Sequence, residues 1–182
     1  MNGHMKKLLI PLLAALFLLP SCIGVEKPDV PAEEPDNTPV AAVMEYTMKA
    51  TDETLGTLDL TVKYYDADGT VHSDAITKTT WTKTVKCALP AKFGACIEVA
   101  LKSGAVVTGE ETFHVNCGYS YKTYAVNAAG ETVGRTYAYG DTHKTDMARH
   151  KIPTWLEKRS GPLVKFGYNF DASGAGSDGS WE

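Results

Sequence analysis

Three cysteines in the body of this chain, Cys87, Cys96 and Cys117, are candidates for covalent chemistry. None belongs to a C-x-x-C pair, so their spacing points to a disulfide rather than a metal centre. Cys87 shares strand parity with Trp81 and Val85, and Cys117 with Phe113 and Val115, which turns both thiols toward a core. A Cys87–Cys117 bridge between two sheets is therefore one expectation. The other is local. If Ala88 faces Ala95 across a turn at Pro90–Gly94, then Cys87 and Cys96 lie opposite one another, and bridging needs Cα atoms within about 7 Å. Either way one disulfide forms and one buried thiol remains.

The aromatic residues offer a second chemistry. Nine Tyr outnumber five Phe and three Trp, so most rings carry a hydroxyl. Tyr119, Tyr121, Tyr137 and Tyr139 flank an Asn127–Gly130 turn. If Asn127 faces Glu131, Tyr121 faces Tyr137 and Tyr119 faces Tyr139. Such a ladder stabilises a sheet by roughly 0.2–1 kcal/mol per pair. Its hydroxyl rim is also a platform for sugar rings. Shared parity with Val115, Cys117 and Val133 turns it inward, as core and core edge.

Other polar groups promise less. His143, His150, Asp141 and Asp146 crowd one stretch, read as a solvated loop because their spacing fits no ligand pair. His114 and Cys117 fall on opposite faces of a strand, which a Cys–His nucleophile cannot use. There is no G-x-S-x-G, H-E-x-x-H or P-loop, and the scattered acids neither show nor exclude the two facing carboxylates of a glycosidase, so an envelope hydrolase stays as an alternative. The chain is expected to be non-enzymatic, with no cofactor and no metal.

The front end carries the most specific signal. Lys6-Lys7 precede a twelve-residue run, Leu8 to Leu19, and then Pro20-Ser21-Cys22. The run is too short to span a bilayer, which needs ~20 residues, and it has the layout of a secretory signal. Leu19-Pro20-Ser21-Cys22 resembles a bacterial lipobox, with proline at −2 as in Bacteroidota-type signals. The resemblance implies cleavage before Cys22 and acylation of that thiol. More than one acyl chain gives stable anchoring where one is marginal.

Between the anchor and the body lies a tether. Pro28, Pro31, Pro35 and Pro39 alternate with Glu26, Asp29, Glu33, Glu34 and Asp36. Proline fixes φ and the acids repel, so residues 23–42 should be extended, reaching roughly 60 Å at ~3.1 Å per residue. The 182-residue chain then retains enough length for one core and not two. Loss of Lys6 and Lys7 with the signal takes the formal charge from −4 to −6. An acidic chain with no evident basic patch excludes nucleic acid and anionic lipid as expected partners.

Short alternating runs fill the body. Leu58, Leu60, Val62 and Tyr64 mark one strand, and Asp66-Ala67-Asp68-Gly69 turns it into Thr70–Thr77. Further strands are expected at Thr79–Leu89, Ala95–Lys102, Glu111–Val126 with a bend at Gly118, Thr132–Gly140 and Pro162–Phe170. One helix is expected at Pro153–Arg159, and no helical period precedes residue 150. One turn pattern recurs at Asp66–Gly69, Asn127–Gly130 and Asp171–Gly174: Asp or Asn, Ala, any residue, Gly. Asp or Asn opens a type I turn and Gly takes the left-handed position.

These elements predict an all-β fold, an antiparallel β-sandwich of seven to eight strands with one short C-terminal helix. The expected segments are a signal at 1–21, a tether at 22–42, the sandwich at 43–171 and a flexible tail at 172–182. The arrangement of lipobox, Pro/acid tether, Tyr64–Gly69, Thr79–Val85 and the Gly118–Tyr124 tyrosine run resembles small Bacteroidota lipoproteins of unknown function. The order of Asp66–Gly69 and Trp81–Val85 is also similar to the sandwich domain of mycobacterial MmpS-type export accessory proteins. Both resemblances imply an immunoglobulin-like sandwich, and a Cys87–Cys117 bridge would resemble the inter-sheet bridge of such domains. The lipobox and the first resemblance imply an outer-membrane lipoprotein, periplasmic or surface-facing and held to the membrane by its lipid, and the expected role is a binding or structural accessory module with a protein or glycan partner.

Overall fold

The computed structural model describes residues 36–181. Cys22, the signal and most of the tether lie outside those residues. Nine strands run antiparallel in two sheets. They are β1 (Ala41–Ala50), β2 (Leu58–Tyr65), β3 (Val71–Ile76), β4 (Thr80–Ala88), β5 (Ala91–Leu101), β6 (Thr112–Val126), β7 (Thr132–Ala148), β8 (Val164–Phe170) and β9 (Gly176–Gly179). The sheet orders are β4-β1-β6-β7 and β3-β2-β5-β8-β9. Strands β1 to β5 follow the pairing of immunoglobulin strands B, C, C′, E and F. Strand β6 takes the place of A beside β1, and β8 takes that of G beside β5. The fold is therefore a β-sandwich with a late-arriving partner on each side.

Period-two alternation builds the core. Leu58, Leu60, Val62 and Tyr64 of β2 are buried while the residues between them are more exposed. Met44, Tyr46 and Met48 of β1 face them, and Phe93, Ala95 and Ile97 of β5 close the layer. The Asp/Asn-to-Gly turns have one geometry throughout. The amide of Gly69, Gly130 or Gly174 donates to the carbonyl of Asp66, Asn127 or Asp171, and each glycine has positive φ. Three hairpins, β2–β3, β6–β7 and β8–β9, are closed this way.

Four details differ from the sequence reading. A six-residue helix, α1 (Asp52–Thr57), links β1 to β2, capped by Thr51 Oγ1 accepting from the Thr54 amide. Fewer than two turns show no period, so only the cap and the acids at 52 and 53 announce it. The expected C-terminal helix is α2 (Ile152–Glu157). The polar stretch around His143 is strand, because β7 runs on to Ala148 beside β6. Residues 176–179 form β9 on the edge of β8, and Trp181 packs on Tyr65 with ring centroids 5.0 Å apart, so the tail is ordered there. The bend expected at Gly118 is absent, since Gly118 stays in register with Lys49 and Thr142.

One side chain ties the sheets together. The register of β2 with β5 ends at Tyr64 and Ala95, leaving the Gly94 backbone without an opposing β2 residue. The buried Tyr46 hydroxyl, on the other sheet, accepts from the Gly94 amide at 3.2 Å and donates to the Gly94 carbonyl at 3.3 Å. Tyr46→Phe keeps the ring but orphans both backbone groups, so denaturant titration should show a stability loss of roughly 1–3 kcal/mol. An unchanged midpoint would mean that water replaces the hydroxyl.

Candidate functional site

Tyr119, Tyr121, Tyr137 and Tyr139 share the inner face of the β6–β7 hairpin, as parity requires, but in a different register. Asn127 does face Glu131, with the Asn127 amide 3.0 Å from the Glu131 carbonyl. Beyond Ala125–Val133 the ladder resumes at Thr123–Tyr137, so Gly134, Arg135 and Thr136 face Tyr124 alone. Gly134, at φ +74°, makes this bulge. Tyr121 therefore faces Tyr139, and Tyr119 faces Asp141. Two extra residues preserve parity, and so the four rings stay on one side.

They stand where the core opens at the edge of the sandwich. Phe166 of β8 stacks on both Tyr119 (4.9 Å, 10°) and Tyr121 (4.8 Å, 14°), which occupies the faces a flat sugar platform would need. Tyr121 is buried and Tyr119 and Tyr137 are half-buried, whereas Tyr139 is 56% exposed. Tyr137 leans on Tyr168 at 5.4 Å, and Tyr139 lies 6.1 and 6.3 Å from Tyr119 and Tyr121. The result is a cleft of about 510 Å³ between β7 and β8–β9. Asp178 is the one acid among its lining residues. Pairing with Tyr168 brings Asp178 to the inner face of β9. Arg135 sits over Tyr137, 6.0 Å from the ring centre.

Desolvation governs these phenols. Burial pushes Tyr119 up to about 12, with Tyr139 and Asp141 adding to it. Burial also raises Tyr121 and Tyr168, and the Asp178 charge contributes to both. The hydroxyls thus stay protonated as hydrogen-bond donors beside apolar ring faces, the combination that recognises a sugar.

The cysteines do not pair as expected. Cys87 and Cys117 are free thiols, so neither Cys87–Cys117 nor Cys87–Cys96 forms. Cys87 and Cys117 lie in one sheet on either side of β1, opposite Ala42 and Ala50 respectively. Eight residues of strand separate them, roughly 26 Å at ~3.3 Å per residue. The Cys87–Cys96 hairpin fails because the chain changes sheets at Leu89-Pro90, sending β4 and β5 to different layers. Burial raises Cys117 to about 12, which keeps it a thiol.

Each histidine near the polar stretch has a separate local role. His114 Nδ1 lies 2.8 Å from Asp146 on the outer face, a contact that raises its pKa. His143 faces inward against Thr145, and burial, followed by the Arg159 charge, lowers its pKa. His150 contacts the Gly109 carbonyl. No three His, Cys, Asp or Glu side chains converge on a metal position among the described residues. A second concavity, about 620 Å³, lies outside β1, β6 and β7, floored by Gly118 and Gly140 and lined mainly by hydroxyl and amide groups with Lys49.

Comparison with protein-family models, curated proteins and solved structures returns no match.

The sequence signals of this cleft were partial. Gly134 inside a strand pattern signals a bulge, and the alternation of Phe166 and Tyr168 marks an inner aromatic face. Nothing in the sequence joins Asp178 to them. The raised phenols make a measurable pH dependence. A folded pKa above the unfolded value of ~10 contributes stability below pH 10 that is lost as pH rises through about 12. Phenolate absorbance should rise in two stages, with the buried group ionising only as the fold melts. One smooth titration near pH 10 in the folded protein would contradict this. Ellman's reagent should likewise reach Cys117 only after denaturation.

Proposed function

We propose that this chain is a lipid-anchored, non-enzymatic binding module of the bacterial cell envelope that takes carbohydrate in the cleft lined by Tyr137, Tyr139 and Tyr168. The cleft carries this reading: rings and protonated hydroxyls converge at an open sandwich edge, with a single acid among the lining residues. A glycosidase needs two carboxylates flanking the bond, so binding suits the cleft better than hydrolysis. Tyr139 offers the most exposed ring and Tyr137 the next position on the same face of β7. Cys22 would hold the chain to the outer membrane, with the residues between it and β1 as the spacer.

Two experiments test the two halves. On a glycan array the full chain should retain a defined set of sugars, and Tyr139→Ala should weaken retention about tenfold, the loss of roughly one stacking contact. Retention that is indifferent to Tyr137→Ala and Tyr139→Ala would remove the cleft from the account. In cells, labelled palmitate should enter the wild-type protein and not Cys22→Ala. An unlabelled wild-type chain would end the lipoprotein reading.

A further inference from the structure

A second site stands apart from the tyrosine cleft. Lys158, Arg159 and Lys165 are separated in sequence by a turn, which conceals them as a group. The fold brings them together. Helix α2 ends at Glu157, and the turn through Ser160 and Pro162 leads into β8, so all three cations line one groove of about 510 Å³ beside Trp155. A second groove of about 650 Å³ continues on the other side of Trp155 and Lys158, adding Lys151, while its His150 lies 3.4 Å from the Glu110 carboxylate. Asp146 borders that second groove but is engaged by His114. An acidic chain thus carries a local basic surface that its totals hide.

Arg159 is held in place before any ligand arrives. Its guanidinium lies 5.0 Å from the Trp155 ring centre, and Nη2 donates to the Pro162 carbonyl at 2.9 Å. Its Nε is sealed from solvent with no acceptor, the one such buried side-chain atom among the described residues. Sealed in this way, Nε is out of reach of a groove ligand, so ligand contact falls to the remaining guanidinium N–H groups. Lys63, Lys83, Lys122 and Arg149 each lie within 4 Å of a carboxylate. Lys158, Arg159 and Lys165, like most other lysines of the described residues, have no such partner, and what sets them apart is that they line one groove. Three converging positive charges exceed what one carboxylate of a ligand would neutralise, whereas a dianion with several oxygens can meet both the planar guanidinium and the flanking ammonium groups.

We propose that the groove beside Trp155 binds a phosphate-bearing ligand through Lys158, Arg159 and Lys165. The shared chemistry is the phosphate dianion, which a soluble phosphorylated molecule or a lipid headgroup can supply. Trp155 and Pro162 wall the groove with apolar surface against which the remainder of such a ligand rests.

Calorimetry on the full chain with inorganic phosphate and pyrophosphate tests the soluble source. Sedimentation with phosphatidic acid vesicles, against phosphatidylcholine vesicles, tests the lipid source. Saturable binding in either arm is expected, weakening with added salt. A K158Q/K165Q variant should lose about tenfold in affinity, with an unchanged circular dichroism spectrum. The charge-matched K78Q/K86Q variant, altered on exposed lysines elsewhere, should stay within about twofold of wild type. No saturable binding in either arm overturns the proposal, as does an equal loss in both variants, which would reduce the effect to net charge.

Discussion

The two sheets are registered against one another by a hydroxyl. Tyr46 reaches from β1 to the Gly94 backbone on β5, where β2 has already turned away and left the ladder open. Burial raises its pKa well above that of an ordinary phenol, so the group stays a neutral donor and acceptor. The same ring packs 6.0 Å from Tyr64 and 6.1 Å from Phe166, and Phe166 in turn stacks on Tyr119 and Tyr121. A single polar contact in the core is thus continuous with the aromatic wall of the cleft. Displacing β5 relative to β1 would shift every ring that lines it.

Aromatic packing also connects the other end of the core. Tyr64 and the Trp81 indole both donate to one Asp74 oxygen at 3.2 Å, tying β2, β3 and β4 together. The sandwich is therefore closed at the β3–β4 side by a carboxylate that satisfies the donors of buried Tyr64 and half-buried Trp81. It is open at the β7–β9 side, where the Asp178 charge helps to raise Tyr121 and Tyr168. Both sides put an acid beside aromatic rings, and the open side holds the cleft.

The Trp155 groove has a different physical basis. There the fold leaves positive charge unanswered and a guanidinium donor orphaned, instead of exposing ring faces. The two sites meet on β8, where Phe166 and Tyr168 line the aromatic cleft and Lys165, between Val164 and Phe166, lines the basic groove.

Much of this was legible in the chain. The alternation of Leu58 to Tyr64, the three Asp/Asn-to-Gly turns and the proline at the start of α2 each encode local geometry, because side-chain period and φ preference act over two to five residues. Inward facing of Cys117 and of the tyrosine ladder also followed from parity, which a two-residue bulge at Gly134 left intact. What parity could not say was which sheet a strand joins. Cys87 and Cys96 look like hairpin partners until the chain crosses layers at Pro90, and Asp178 reaches the tyrosines only because β9 adds to the edge of β8. The sequence by itself determined strands, turns and faces, since these rest on neighbours along the chain. The tertiary structure alone decided the free thiols and the cleft, since these depend on contacts between residues far apart in sequence, while the cation cluster depends on how the turn between α2 and β8 folds back.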